Sequence, residues 1–195
     1  MTVGVIDSGV DASNPDIAPA FNHRLSKTFA KDIPTDPNGE QFDGPCEDPS
    51  CVDPPDVDNN GHGTHVAGII AAAANDFGIS GVAPGVSLVN LHAGQDAGYF
   101  FLQPVVEALT YAADQGINVV NMSFYVDPWL MNCDRNPDDS PREQAQQRIV
   151  KMTMTRAMAY AHARGVVMVV AFGNEHTDNS HHAPDVASPD WPLGS

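Results

Sequence analysis

The sequence predicts an α/β fold in which a mostly parallel sheet is sandwiched between two layers of helices. Three observations predict it. Short β-branched runs alternate with longer helical patterns along the chain. Residues 166–171 are apolar throughout, the signature of a strand covered on both faces. Three strand-like runs end in polar residues, Asp7, Ser123 and Asn174, and functional groups of open α/β sheets gather at such carboxyl ends.

The elements follow in order. Residues 2–6 are an apolar run stopped by Asp7-Ser8-Gly9, which leaves Asp7 at the end of the first strand. Taken alone, that Asp is equally a turn former. Residues 22–60 are a long irregular excursion that carries seven acids and no Lys or Arg from Asn38 onward. Loops of that length in compact domains are functional or disordered. Within it Cys46 and Cys51 lie in a Pro- and acid-rich segment poor in apolar material, which predicts a small disulfide ring. Cys133 is then left over, as a free thiol or with a mate outside the chain.

Residues 59–72, NNGHGTHVAGIIAA, change from an Asn/Gly loop to an Ala/Val/Ile helix. His62 and His65 therefore sit at a loop-to-helix junction, where a helix can hold an imidazole rigidly toward a cleft for general acid/base work. Capping or core packing is the plainer reading of a lone His there. Downstream, 86–92 reads as a strand and 101–115 as a helix with Pro104 in its first turn and Gly116 at its end. Residues 118–123 read as a strand, and 140–164 as a helix opening on Ser140-Pro141 and closing at Gly165. Residues 175–195 return to a polar tail with His176, His181 and His182.

A chain of 195 residues can bury the core of one α/β domain. A net charge of −16 argues against nucleic acid or an anionic membrane as partner, because phosphate binding needs a basic face. It suits bound divalent cations, or plain solubility. No apolar run is long enough to span a membrane. Met1 opens directly into the first strand without a signal peptide, as the processed form of a secreted precursor also would.

If the sheet is parallel, Asp7, Ser123 and Asn174 share one edge with His62 beside them. An acid that orients a histidine, with an Asn amide aimed at a developing oxyanion, is the equipment of acyl transfer by a serine nucleophile.

At this point the chain resembles the subtilisin-like serine proteases. VIDSGVDASNPDI is similar to their aspartate motif, NNGHGTHVAGIIAA to their histidine motif, and VVNMSF with VVAFGNE to their substrate strand and oxyanion segment. The resemblance implies the subtilisin-like α/β/α fold, with Asp7 orienting His62 as general base, His65 structural, and Asn174 donating to the oxyanion. It implies that Ser123, Phe124 and Tyr125 bind a peptide or protein substrate in extended conformation through main-chain hydrogen bonds. Tyr125 stands where the family commonly has Gly, which alters the main specificity pocket.

The family's Gly-Thr-Ser nucleophile motif does not occur in the sequence, and Ser195, in a Pro-Leu-Gly-Ser tail, cannot replace it. The expectation is that residues 1–195 are the amino-terminal part of a catalytic domain, with a fold incomplete at its C-terminus, inactive alone, and with the mate of Cys133 in the missing part. The resemblance also implies structural calcium, held by Asp16 and Asn75 with carbonyls of Ala73, Phe77 and Ile79, and no cofactor for catalysis. The disulfide and the family together point to an extracellular protein. Two other readings differ in class: a non-catalytic pseudoprotease that binds peptides, and a zinc enzyme built on His62, His65 and the tail histidines, although the His62–His65 spacing lacks the usual i,i+4 arrangement with an intervening Glu.

Overall fold

The computed structural model describes residues 1–36 and 39–174. Along them run β1 (Thr2–Asp7), β2 (Lys27–Thr28), α1 (His62–Ala71), β3 (Ser87–His92), α2 (Leu102–Asp114), β4 (Val119–Met122), α3 (Pro141–Ala163) and β5 (Val167–Val170). The five strands form one sheet in the order β2-β3-β1-β4-β5, and every pairing is parallel.

β1 lies at the centre, and its alternating side chains feed two cores. Val3 and Val5 pack with Ala67 and Ala71 of α1 on one face. Ile6 packs with Val105, Leu109 and Met122 on the other, where α2 and α3 lie. This is the predicted three-layer arrangement. The side chains of α1 are small where it meets the sheet: Gly63, Ala67, Gly68 and Ala71 are its buried positions. α2 buries Val105, Ala108, Leu109, Ala112 and Ala113, the stripe expected of a helix with one apolar face. α3 starts at a capping box in which Ser140 and Glu143 satisfy each other's backbone N–H, with Pro141 in the first turn.

Two features depart from expectation. Residues 166–171 are not covered on both faces. Among the described residues β5 pairs only with β4, and Val167, Val169 and Val170 are 57%, 49% and 58% exposed while Val166 is buried. An apolar run fixes what a strand can tolerate, not how many neighbours cover it. The excursion 22–60 contains β2, a two-residue strand paired to β3 through Lys27 and Leu91, too short to show any period. The rest of the excursion folds back over the carboxyl end of β3. Cys46 and Cys51 are disulfide-bonded as predicted, with Cα atoms 5.1 Å apart, and Asn90 on β3 donates to the Pro55 carbonyl. Phe42 packs edge-on against Tyr99 with ring centroids 5.1 Å apart. The tail 175–195 with its three histidines lies outside the described residues.

Candidate active site

Asp7 is the last residue of β1, and its carboxyl is wholly buried. His62 opens α1 with a half-exposed ring, and its Nδ1 lies 2.7 Å from Asp7 Oδ1. The Ser8 N–H donates to the same oxygen at 2.8 Å. Burial pushes the Asp7 carboxyl above its ordinary range, while the hydrogen bonds from His62 and Ser8 pull it back. With Asp7 ionised, Nδ1–H of His62 is the donor in this bond.

Backbone contact sets this distance. A Cβ on Gly63 would come within 2.0 Å of the Gly9 carbonyl oxygen, and one on Gly9 within 2.5 Å of the Val57 carbonyl. The first turn of α1 thus rests directly on the turn that ends β1. Gly61, at the N-cap, has φ of 94° and provides no side-chain cap. Asp58, three residues earlier, does that work: its carboxylate accepts from the N–H groups of Gly61 and Thr64 and from the hydroxyls of Ser8 and Thr64. An anion at a helix N-terminus is also favoured by the helix dipole. Sequence reading passed over Asp58; the signal was an acid followed by Thr six residues later at the start of an apolar helix.

The other expected residues lie along the same edge. Register pairs Ile6 with Met122 and Met122 with Val170, so Ser123 follows β4 directly beside Asp7. The Ser123 hydroxyl accepts from Asn121 at 2.8 Å. Phe124 stacks on Phe100 with centroids 4.3 Å apart, so its side chain belongs to the core and its backbone is what a peptide could reach. Tyr125 is half-buried beyond it. Asn174 follows β5 by four residues and is exposed; among the described residues no hydrogen bond ties it to the Asp7–His62 pair. His65 is exposed, and among the described residues it does not converge with His62 in a metal-ligating group.

A family model described as "Subtilase family" matches residues 1–191. The chain belongs to the subtilase family. Among curated relatives, subtilisin DY of Bacillus licheniformis is 29% identical over 180 residues, covering 92% of this chain and 49% of the relative. Subtilisin Savinase of Lederbergia lenta is 34% identical over 172 residues, covering 88% and 47%. The major intracellular serine protease of Bacillus subtilis is 32% identical, covering 89% and 42%, so membership alone does not fix a compartment. This subtilase chain spans at most about half the length of these relatives. Among solved structures, the nisin leader peptidase of Lactococcus lactis superposes with a TM-score of 0.65 at 26% identity, over 97% of this chain and 52% of that one. The epidermin leader peptide processing serine protease of Staphylococcus aureus gives 0.68 at 24%, over 91% and 38%.

The subtilase chain holds the expected calcium residues in two pieces that meet. Asp16 is buried, its Oδ2 accepts from Ile79 N–H at 3.0 Å, and its Oδ1 is buried without a partner. A Cβ on Gly78 would overlap Oδ2 of Asp16, so the 75–79 loop wraps the carboxylate closely. The backbone carbonyl of Asp16 accepts from Ala73, while Asn75 Oδ1 accepts from Phe77 N–H. The buried, unpartnered Oδ1 of Asp16 is a hard oxygen of the kind a calcium ion takes.

A second cluster lies on the other side of the Asp7–His62 pair. His92, the register partner of Asp7, ends β3 and is 1% exposed. Asp53 from the excursion is buried, and Asp96 follows β3 by four residues. Burial, then the charges of Asp32 and Asp53, push the Asp96 carboxyl up to about 7. Asp32 is pushed to about 6, first by burial and then by Asp53 among other acids, against a hydrogen bond from Asp96 N–H. His92 is held below its usual range by burial, against Asp53 and Asp58. In the sequence His92 looked like the end of a core strand; its only signal was a polar residue two positions after Asn90 in an otherwise apolar run.

Proposed function

We propose that the chain is the amino-terminal part of a serine endopeptidase catalytic domain, supplying the acid, the base and an oxyanion donor. The single observation that carries this is the 2.7 Å bond from Nδ1 of the half-exposed His62 ring to the buried Asp7 carboxylate. In this reading Nε2 of His62 takes the proton of a serine hydroxyl as that oxygen attacks the scissile carbonyl. Asp7 stabilises the resulting imidazolium, which then returns the proton to the leaving amine. Asn174 donates to the oxyanion, and water, activated by the same histidine, releases the acyl group. The substrate is a peptide or protein segment in extended form, bound by main-chain hydrogen bonds to residues 123–125. In this reading the serine belongs to the part of the domain that the relatives have and this chain does not span.

Asp16 and Asn75, with carbonyls of Ala73, Phe77 and Ile79, would hold a structural calcium ion, which cross-links the 73–79 loop to the segment after β1. The disulfide at Cys46 and Cys51 supports an extracellular site of action.

The 195-residue chain alone should show no peptidase activity above solvent, whereas the gene extended until a Gly-Thr-Ser segment follows should cleave peptides in a His62-dependent way. Robust hydrolysis by the short chain, abolished by His62→Ala, would sink the assignment. A gene that continues without such a segment favours the pseudoprotease instead.

A further inference from the structure

We propose that Asp53, His92 and Asp96 form a binding site for one divalent transition-metal ion of the zinc class, beside the acid–base pair and separate from the calcium loop. Each of the three offers one ligand atom, and these atoms all lie within 4.8 Å of one another. They come from three places that folding brings together: the acidic excursion, the end of β3 and the loop after it. Around a tetrahedral ion with bonds of about 2.0–2.2 Å, ligand atoms stand roughly 3.5 Å apart. Closing the site therefore needs movements of under about 1 Å per side chain.

The decisive group is the buried imidazole. His92 Nε2 lies 3.1 Å from the Gly94 carbonyl, so that nitrogen carries the proton and donates it. Nδ1 is then a bare lone pair, and it is buried without any hydrogen-bond partner. A carbonyl that fixes the tautomer of a histidine and leaves the other nitrogen free is the usual outer support of a metal ligand. Oδ1 of Asp96 is also buried and unpartnered. The remaining carboxylate oxygens are braced: Asn59 Nδ2 donates to Asp53 Oδ2 at 2.9 Å and to Asp96 Oδ2 at 3.4 Å. An imidazole nitrogen is a poor ligand for calcium, which takes six to eight oxygens, whereas one nitrogen and two carboxylates suit zinc-class ions. Three protein ligands leave the fourth position to water.

Occupancy would reach the histidine of the acid–base pair through the backbone. Asn60 Nδ2 donates to the Asp96 carbonyl at 2.7 Å, and Asn60 Oδ1 accepts from His62 N–H at 3.2 Å. A bound ion therefore pins the excursion, the loop after β3 and the entry to α1 to one another. Neither this site nor its test depends on the peptidase reading.

The test is titration of the chelator-stripped chain with Zn²⁺ and Co²⁺, read by calorimetry, by cobalt visible absorption and by melting temperature. One ion per chain is expected, with a rise in melting temperature, undisturbed by excess Ca²⁺. Asp96→Asn, nearly isosteric at a partly exposed position, and His92→Gln should each weaken binding at least tenfold with unchanged far-UV circular dichroism. The double substitution His181→Ala with His182→Ala should leave binding intact. Absence of stoichiometric binding, insensitivity to Asp96→Asn, loss on removing the tail histidines, or displacement by Ca²⁺ would each overturn the site.

Discussion

Burial and pairing pull the Asp7 carboxyl in opposite directions, and the balance holds only while His62 donates to it. Asp7→Asn keeps the shape but turns the imidazole to the wrong tautomer. In the extended, active protein kcat should fall about 10⁴-fold, the size such a substitution has in a related triad, with KM little changed. Steady-state kinetics would show it, and the strongly deshielded Nδ1 proton of His62 should vanish from the NMR spectrum. Gly63→Ala acts on the same pair by a different route. Its new methyl would meet the Gly9 backbone oxygen, which has no rotamer through which to yield. A loss of about 1–3 kcal/mol in urea unfolding is expected from such overpacking. These residues were legible in different degrees: Asp7 and His62 through their motifs, Gly63 only in space, because a glycine's neighbour 54 positions away leaves no trace in a local pattern.

Among the elements, the entry to α1 shows what single-sequence reading cannot reach. The Asn/Gly stretch and the apolar run located the helix, yet the cap is Asp58, outside the helix and bound to Ser8 on the far side of the turn. Asp58→Ala removes a partner from several N–H and O–H groups at once. It should cost about 1–3 kcal/mol, with rapid hydrogen exchange confined to the first turn of α1. At α3 the capping box was visible as Ser140-Pro141 with Glu143, since cap and helix are adjacent in sequence. β5 marks a different limit: its apolar run identified the strand, while among the described residues its valines stay about half exposed. Val169→Thr on the exposed face should therefore change stability by less than about 0.5 kcal/mol while reducing association of the chain, checked by urea midpoint and light scattering.

For the molecule as a whole, charge sets a pH dependence. Asp32 and Asp96 bind protons up to about pH 6 and 7 when folded, but only to about the ordinary 3.8 when unfolded. Between those limits the folded chain holds more protons on these two acids, so their contribution to stability is greatest toward the acid end and declines as pH rises through 6 to 7, against the opposite contribution of His92, which burial holds below its usual range. With chelator present, Asp96→Asn should raise the urea midpoint at pH 8 relative to that at pH 5. A pH dependence that Asp96→Asn leaves unchanged would refute the crowding of these acids. The sheet order carries a further consequence, for the order of events in time. β1 is made first yet lies between β3 and β4, with Thr2 facing Ser87 on one side and Val3 facing Val119 on the other. A nascent chain therefore cannot seat Asp7 between its neighbours until residues up to Met122 have left the ribosome. The pairings that place it are long-range ones, whose loops close slowly. Synthesis is thus well past the histidine helix before the two halves of the acid–base pair can face each other in a finished sheet.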